Sequence, residues 1–283
     1  MVYRPHIHLP PNIYLQANIT TKDKQPLQHS TINHNNRRLA YVHTGSTSNT
    51  NASLFFCGGF KSSMQGLKAL ALEDYSRGNN LSFTRFDYSG HGSSEGSFEE
   101  GDIGSWLSDA LCVFDHTTAA PNNTIVIGSS MGAWIATLLA KQRSTQVAGL
   151  ITIAAAPDFT EKLLLPAMSN AQRDALNKGE TLYFPSDYDD GSPYPISAHL
   201  IEQSRKHCVL DKPFALNAPV HLLHGTSDPD VPYALSASLM ETIQSDDIKL
   251  TLIKDADHRL SSPSELRTIT HAIDEMLGKL KNR

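Results

Sequence analysis

The stretch Thr124-Ile-Val-Ile-Gly128-Ser129-Ser130-Met131-Gly132-Ala133-Trp134 carries a β-branched, apolar run into the pattern Gly-x-Ser-x-Gly, and then into a second apolar run that reads as helix. In a Ser- and Gly-rich loop this five-residue pattern arises by chance, but a strand before it and a helix after it make a nucleophile elbow, the turn that activates a serine hydroxyl. A tight strand-to-helix turn thrusts Ser130 Oγ out over the edge of a sheet, and Gly128 and Gly132 are needed because side chains there would strike the adjoining strand and helix. The turn also sets the first helical N–H groups, beginning with Met131, where an oxyanion would form. Ser129 is one place off the pattern and reads as a packing or hydrogen-bonding residue.

A serine hydroxyl needs a base whose pKa lies near neutrality, and histidine is the usual one. Thirteen histidines compete. The chain order Ser, acid, His that accompanies a nucleophile elbow confines the base to the C-terminal part. His258, in Thr251-Leu-Ile-Lys-Asp-Ala-Asp257-His258-Arg259, follows the last strand-like run on a loop that can reach Ser130. His271 falls inside the closing helix, His224 ends a strand and reads as structural, and His91 precedes the serine. For the acid, Val220-His-Leu-Leu-His-Gly225-Thr-Ser-Asp228-Pro-Asp230-Val231-Pro232 offers a strand, a glycine turn and two carboxylates. Asp228 is the choice: it can accept from the His258 Nδ1–H, fix the tautomer and stabilise the imidazolium. Asp230 is the nearest rival, and Asp257 a weaker one because adjacent side chains on an extended loop diverge.

A second oxyanion donor belongs on the loop after an earlier strand. Ser53-Leu-Phe-Phe-Cys57-Gly58-Gly59-Phe60-Lys61 places a glycine pair there, pointing to the Phe60 N–H, with Gly59 as the adjacent alternative. The plainer reading is a strand-end turn with no further part.

These residues need a scaffold. Strand-like runs at Leu39-His43, Ala52-Cys57, Leu81-Phe86, Thr124-Ile127, Val147-Ala154, Val220-Leu223 and Lys249-Lys254 alternate with helical patterns near 64–77, 103–118, 131–143, 233–244 and 263–280. Strand and helix taken in turn predict an α/β fold with a mostly parallel, doubly wound sheet, whose sites gather at the strands' carboxyl ends. The expected core is 36–156 with 211–283. Residues 1–35, mixing Pro, Asn, His and Thr without periodicity, read as an irregular arm or a weak edge hairpin. Residues 157–210 break the rhythm with helical stretches near 159–166, 169–179 and 196–208 around a Pro-, Tyr- and Asp-rich loop, and read as an inserted helical lid.

Composition narrows the classes. The chain has 283 residues, 40% of them hydrophobic and 19% charged, with a formal charge of -5. Disorder is disfavoured, and no basic tract longer than Arg37-Arg38 exists for a phosphate backbone, so nucleic acid is not an expected partner. Cys57, Cys112 and Cys208 suit neither a disulfide framework nor a Cys-x-x-Cys metal site. The acidic pairs Asp189-Asp190 and Asp246-Asp247 read as solvated faces. Without an apolar leader or span, the expected protein is soluble, without stable membrane insertion, and cytoplasmic. Arg4 and Lys22 in an otherwise acid-free start make only a thin mitochondrial presequence, kept as the alternative. Sequons at Asn18, Asn51, Asn80 and Asn122 read as chance.

Six runs in order resemble one family: Gly59-Phe-Lys-Ser-Ser-Met64, Arg85-Phe-Asp-Tyr-Ser-Gly-His-Gly-Ser-Ser94, Gly128-Ser-Ser-Met-Gly132, Ala155-Ala-Pro-Asp-Phe-Thr160, His224-Gly-Thr-Ser-Asp-Pro-Asp-Val-Pro232 and Asp257-His-Arg-Leu-Ser261. Over about 55–265 the chain resembles the α/β hydrolases of the palmitoyl-protein thioesterase and acyl-glucuronide esterase group and their bacterial relatives. The resemblance implies the α/β-hydrolase fold, Ser130, Asp228 and His258 as nucleophile, acid and base, hydrolysis of a carboxylic ester or thioester, and neither metal nor organic cofactor. It implies as substrate a small molecule or an acylated protein. Ala133 stands where the family often has Gly, and Gly58-Gly59 where it often has Pro-Gly. Both departures lie beside the acyl site and leave the triad untouched. The alternatives are a generalist short-chain carboxylesterase with the same triad and, from another class, a hydrolase-fold binding protein without catalysis. Oligomeric state is not read from these residues.

Overall fold

The structure is a computed structural model that describes residues 29–46, 52–118, 123–185 and 193–281. The arm up to residue 28, the pair Asp189-Asp190 and the sequons at Asn18, Asn51 and Asn122 lie outside the described residues.

Eight strands form the main sheet: β1 (Ser30–His34), β2 (Arg37–Thr44), β3 (Ser53–Cys57), β4 (Ser82–Phe86), β5 (Thr124–Ser129), β6 (Val147–Ile153), β7 (Val220–Gly225) and β8 (Ile248–Ile253). Their order is β1-β2-β4-β3-β5-β6-β7-β8. From β4 to β8 every neighbour is parallel, while β2 runs antiparallel to both β1 and β4. Parallel neighbours require crossovers, which α1 (Leu67–Gly78), α2 (Ile103–Thr117), α3 (Met131–Gln142) and α6 (Ala234–Thr242) supply; α7 (Pro263–Lys281) closes the chain. The expected strands and helices of the core all form, within a few residues of their predicted limits.

The edge differs from the irregular arm. Residues 30–34 pair in register with β2 through a two-residue turn in which Asn35 and Asn36 have φ of 48° and 60°. Such a hairpin demands a positive φ at both central positions, which asparagine accepts more readily than most residues. The hairpin alternative was open, and this Asn-Asn pair is what produces it.

The central strands are buried on both faces, so alternation assigns each residue to one of two cores. Ile125 and Ile127 pack with Leu72 of α1 and Ile273 of α7, whereas Val126 joins Trp106 of α2 and Ile135 of α3. Because α1 and α7 cover one face and α2 and α3 the other, the carboxyl edge of β3, β5, β7 and β8 is left for the loops that carry the site.

Between β6 and β7 the chain leaves the sheet. A π-helical turn (Thr160–Leu164), α4 (Asn170–Asn177), a hairpin of Leu182–Phe184 with Tyr194–Ile196, and α5 (Ala198–Ser204) follow. The two ends of this segment are fastened to each other. The buried carboxylate of Asp158 accepts the N–H groups of Val209 at 2.8 Å and Leu210 at 2.9 Å.

Candidate active site

Ser130 is the last residue before α3 and has φ 57°, ψ −121°. A serine in such a conformation stores about 1–3 kcal/mol of strain, and persists only where its surroundings over-determine it. Here the two glycines do so. A Cβ on Gly128 would lie 2.3 Å from the Gly132 carbonyl oxygen, and one on Gly132 would lie 2.2 Å from that of Cys57. Strand, turn and helix therefore approach one another more closely than any side chain allows. The Ser130 N–H is tied to the Ile153 carbonyl of the adjacent strand at 2.9 Å.

His258 comes in on the loop after β8. Its Nε2 lies 2.9 Å from Ser130 Oγ and its Nδ1 2.7 Å from Asp228 Oδ2. Asp228 sits on the loop after β7 with a side chain only 1% exposed. Its Oδ1 accepts from the Asp230 and Val231 N–H groups at 2.9 and 2.8 Å. Burial by itself would raise this carboxyl, but hydrogen bonds from His224 and His258 outweigh it, and the group is held well below the usual carboxylate range. An ionised carboxylate on Nδ1 leaves Nε2 to face the serine.

The rivals fall elsewhere. The Asp230 side chain is exposed at the pocket rim, although its N–H serves Asp228. Asp257 accepts the N–H groups of Arg259 and Leu260 and so turns the loop that delivers His258. His271 is exposed on α7. Asp228, Asp230 and His258 offer ligand atoms within 4.8 Å of one another, the spacing of a metal site. Both His258 nitrogens are, however, already committed to Asp228 and Ser130, and an imidazole in that state has no spare lone pair for a cation.

Phe60 and Met131 border the same pocket as Ser130. As the first residue of α3, Met131 has an N–H with no carbonyl a turn below it inside the helix. Gly59 lies against the elbow: a Cβ there would be 3.5 Å from Ser130 Cβ.

Two further histidines, His224, read from sequence as structural, and His91, set aside by chain order, lie directly behind these groups. Fully buried His224 places Nε2 3.1 Å from Asp228 Oδ2, and His91 accepts the Lys61 N–H at 3.2 Å. The His224 contact is local, four residues along the same strand-end loop, whereas the His91 contact joins the loops after two separate strands.

The pocket over Ser130 encloses about 550 Å³. Its lining includes Phe159, Leu163, Leu164, Phe184 and Ile196 from the segment between β6 and β7, together with the polar Ser62, Lys68, Arg259 and Ser261. The apolar residues of that segment divide, since Met168 and Leu176 are buried and Tyr183 is 58% exposed.

A strand-turn-helix serine on a mostly parallel sheet, within reach of a histidine and a carboxylate in the order Ser, Asp, His, is the α/β-hydrolase arrangement. The chain belongs to that fold's family described as Serine aminopeptidase, S33, whose model matches residues 48–191, and it is a hydrolase. It is similar to the rat mitochondrial palmitoyl-protein thioesterase ABHD10, 35% identical over 232 residues, or 81% of this chain and 76% of the relative. Among solved structures it is similar to a putative hydrolase of Agrobacterium vitis S4, at 35% identity and TM-score 0.82 over 89% of this chain and 100% of that one. It is also similar to mouse alpha/beta hydrolase domain-containing protein 10, at 32% identity and TM-score 0.81 over 89% of this chain and 99% of that one.

Proposed function

We propose that this protein hydrolyses carboxylic esters or thioesters through an acyl-enzyme on Ser130. Ser130 Oγ attacks the carbonyl carbon while His258 Nε2 takes its proton, and the Phe60 and Met131 N–H groups receive the oxyanion. His258 then delivers that proton to the departing oxygen or sulfur, and a water activated by the same imidazole releases the acid. Asp228 keeps the imidazole in the productive tautomer and stabilises it when charged. The observation that carries this reading is the unbroken Ser130–His258–Asp228 chain, at 2.9 and 2.7 Å, on the floor of a half-apolar pocket.

The segment 157–210 acts as a lid whose apolar residues receive the acyl chain. A palmitoyl-protein thioesterase is the reading favoured by the name of the ABHD10 relatives, which also places those relatives in mitochondria; the same compartment is the one proposed for this chain. Substrates are then acylated proteins or small acyl esters. Among the described residues no helix is long and apolar enough to cross a membrane.

The test is labelling with a fluorophosphonate, followed by turnover of matched short- and long-chain oxoesters and thioesters. Ser130→Ala abolishes both labelling and turnover if the reading holds, and undiminished hydrolysis in that variant sinks it. Equal rates across all chain lengths would favour the generalist carboxylesterase.

A further inference from the structure

The peptide unit that carries the Phe60 N–H is anchored through its own carbonyl. That carbonyl, belonging to Gly59, accepts the Ser62 N–H at 3.2 Å and the Ser62 hydroxyl at 2.9 Å. In a trans peptide the N–H points away from the carbonyl, so fixing one end fixes the direction of the other. A carbonyl that accepts two hydrogen bonds also polarises its amide, which strengthens the N–H as a donor.

The following peptide is anchored as well. Its N–H, that of Lys61, donates to His91 Nε2 at 3.2 Å, with Lys61 at φ 57° in the left-handed region that a long side chain ordinarily avoids. His91 accepts there only if Nε2 is unprotonated. Its Nδ1–H donates to the Ser89 carbonyl at 3.2 Å, and burial pushes the imidazole down to about 4, so the ring stays neutral. Tyr88, Phe98 and Trp106 pack around it with ring centroids 5.3, 4.8 and 5.2 Å away.

We propose that Ser62 and His91 are positioning residues that together aim the Phe60 N–H at the oxyanion formed on Ser130. This rests on the reading of Phe60 as a donor given above. Neither residue transfers a proton; each acts by holding one peptide plane of the loop, at a place where misalignment weakens transition-state binding more than substrate binding.

The experiment uses the full chain with Ser62→Ala, His91→Phe and His91→Gln, measuring kcat and KM on one ester and the affinity for an alkyl boronic acid, which forms a tetrahedral adduct on Ser130. Deleting an oxyanion donor costs about 10²–10³ in kcat; misaiming one is expected to cost about 10–100-fold in kcat and in boronate affinity, with KM within about twofold. His91→Gln, whose amide oxygen can take the Lys61 N–H, recovers most of the loss seen in His91→Phe. Should His91→Phe fail to fold, Ser62→Ala carries the test, since it removes a single hydroxyl. Wild-type kcat and boronate affinity in Ser62→Ala and His91→Phe, with Ser130→Ala inactive, would overturn the clamp and leave the mechanism standing. A loss confined to KM would overturn it equally. Turnover surviving in Ser130→Ala takes down the mechanism and the clamp together.

Discussion

His224 Nε2 lies 3.1 Å from Asp228 Oδ2, on the same carboxylate oxygen that faces His258. Since its other neighbour, the Val231 carbonyl at 2.9 Å, is also an acceptor, that nitrogen must carry a hydrogen, and Nδ1 is left to accept from Ser236 Oγ at 2.7 Å. A buried chain of hydrogen bonds thus runs from Ser236 through His224, Asp228 and His258 to Ser130. Replacing His224 by Phe strands the Ser236 hydroxyl and removes one donor from Asp228. The expected cost is about 1–3 kcal/mol in a urea titration, with kcat reduced at least about tenfold as the carboxylate loses its fixed seat.

Acid should destabilise the fold in two stages. His91 is held at about 4 by burial against an ordinary 6.5, so between those values the unfolded chain binds a proton that the folded one refuses. Its contribution is complete above pH 6.5 and is lost as pH falls towards 4, a change of about 3 kcal/mol. Asp228, depressed from an ordinary 3.8, contributes stability above that value and loses it only at still lower pH. His221, held at about 4 chiefly by burial, contributes over the same window, so urea titrations should show the upper stage reduced but not abolished in His91→Gln, with the lower one retained; an unchanged upper slope would refute the assignment.

Gly132→Ala and Gly278→Ala should act in opposite directions. A Cβ at Gly132 meets the Cys57 and Gly58 carbonyl oxygens at 2.2 and 2.3 Å, both backbone atoms in the centre of the sheet, so the elbow itself must open. A loss above about 3 kcal/mol, or no soluble protein, is expected. Gly278, in α7, has nothing within 4 Å, and alanine there should add about 0.5–1 kcal/mol through helix propensity and a less free unfolded chain. Thermal midpoints of the two variants check both signs.

Asp158→Ala should loosen the segment between β6 and β7. The carboxylate bridges its two ends through Val209 and Leu210, and without it a buried and a half-buried N–H lose their acceptor. About 2–4 kcal/mol is expected in denaturant titration. A rise in KM for long-chain esters larger than for short ones would link the clasp to the acyl pocket, and proportional changes for both would not.

Leu164→Trp should shorten the acyl chain that the pocket accepts. Leu164 stands on the π-helical turn and lines the cavity, so a larger ring occupies space that a long chain would use. In a matched ester series kcat/KM should fall about tenfold or more for long chains and change little for the shortest.

Much of this site was readable because it is built from local geometry. Gly-x-Ser-x-Gly between a β-branched run and an apolar run specifies the elbow through covalent sterics alone, and strand-helix alternation specifies the sheet through burial and crossover rules. His258 and Asp228 could be ranked by chain order and loop position; His258 lies against Ser130, and Asp228 lies against His258. The hairpin of β1 with β2 was open to view only as an alternative, its signal being the two asparagines at the turn.

What sequence determined by itself, then, is the serine at the strand-to-helix turn, the fold that exposes it and the family the chain belongs to, since each follows from residues adjacent in the chain or from motifs in fixed order. Tertiary structure alone decided that the Asp230 N–H reaches the Asp228 carboxylate, that His224 and His91 stand behind Asp228 and the loop at Phe60, and which apolar residues of 157–210 line the cavity. The reason is physical: a histidine's role depends on the acceptors and donors within about 3 Å of its ring, and for His91 the donor, the Lys61 N–H, lies 30 residues earlier in the chain, on the far side of α1 and β4.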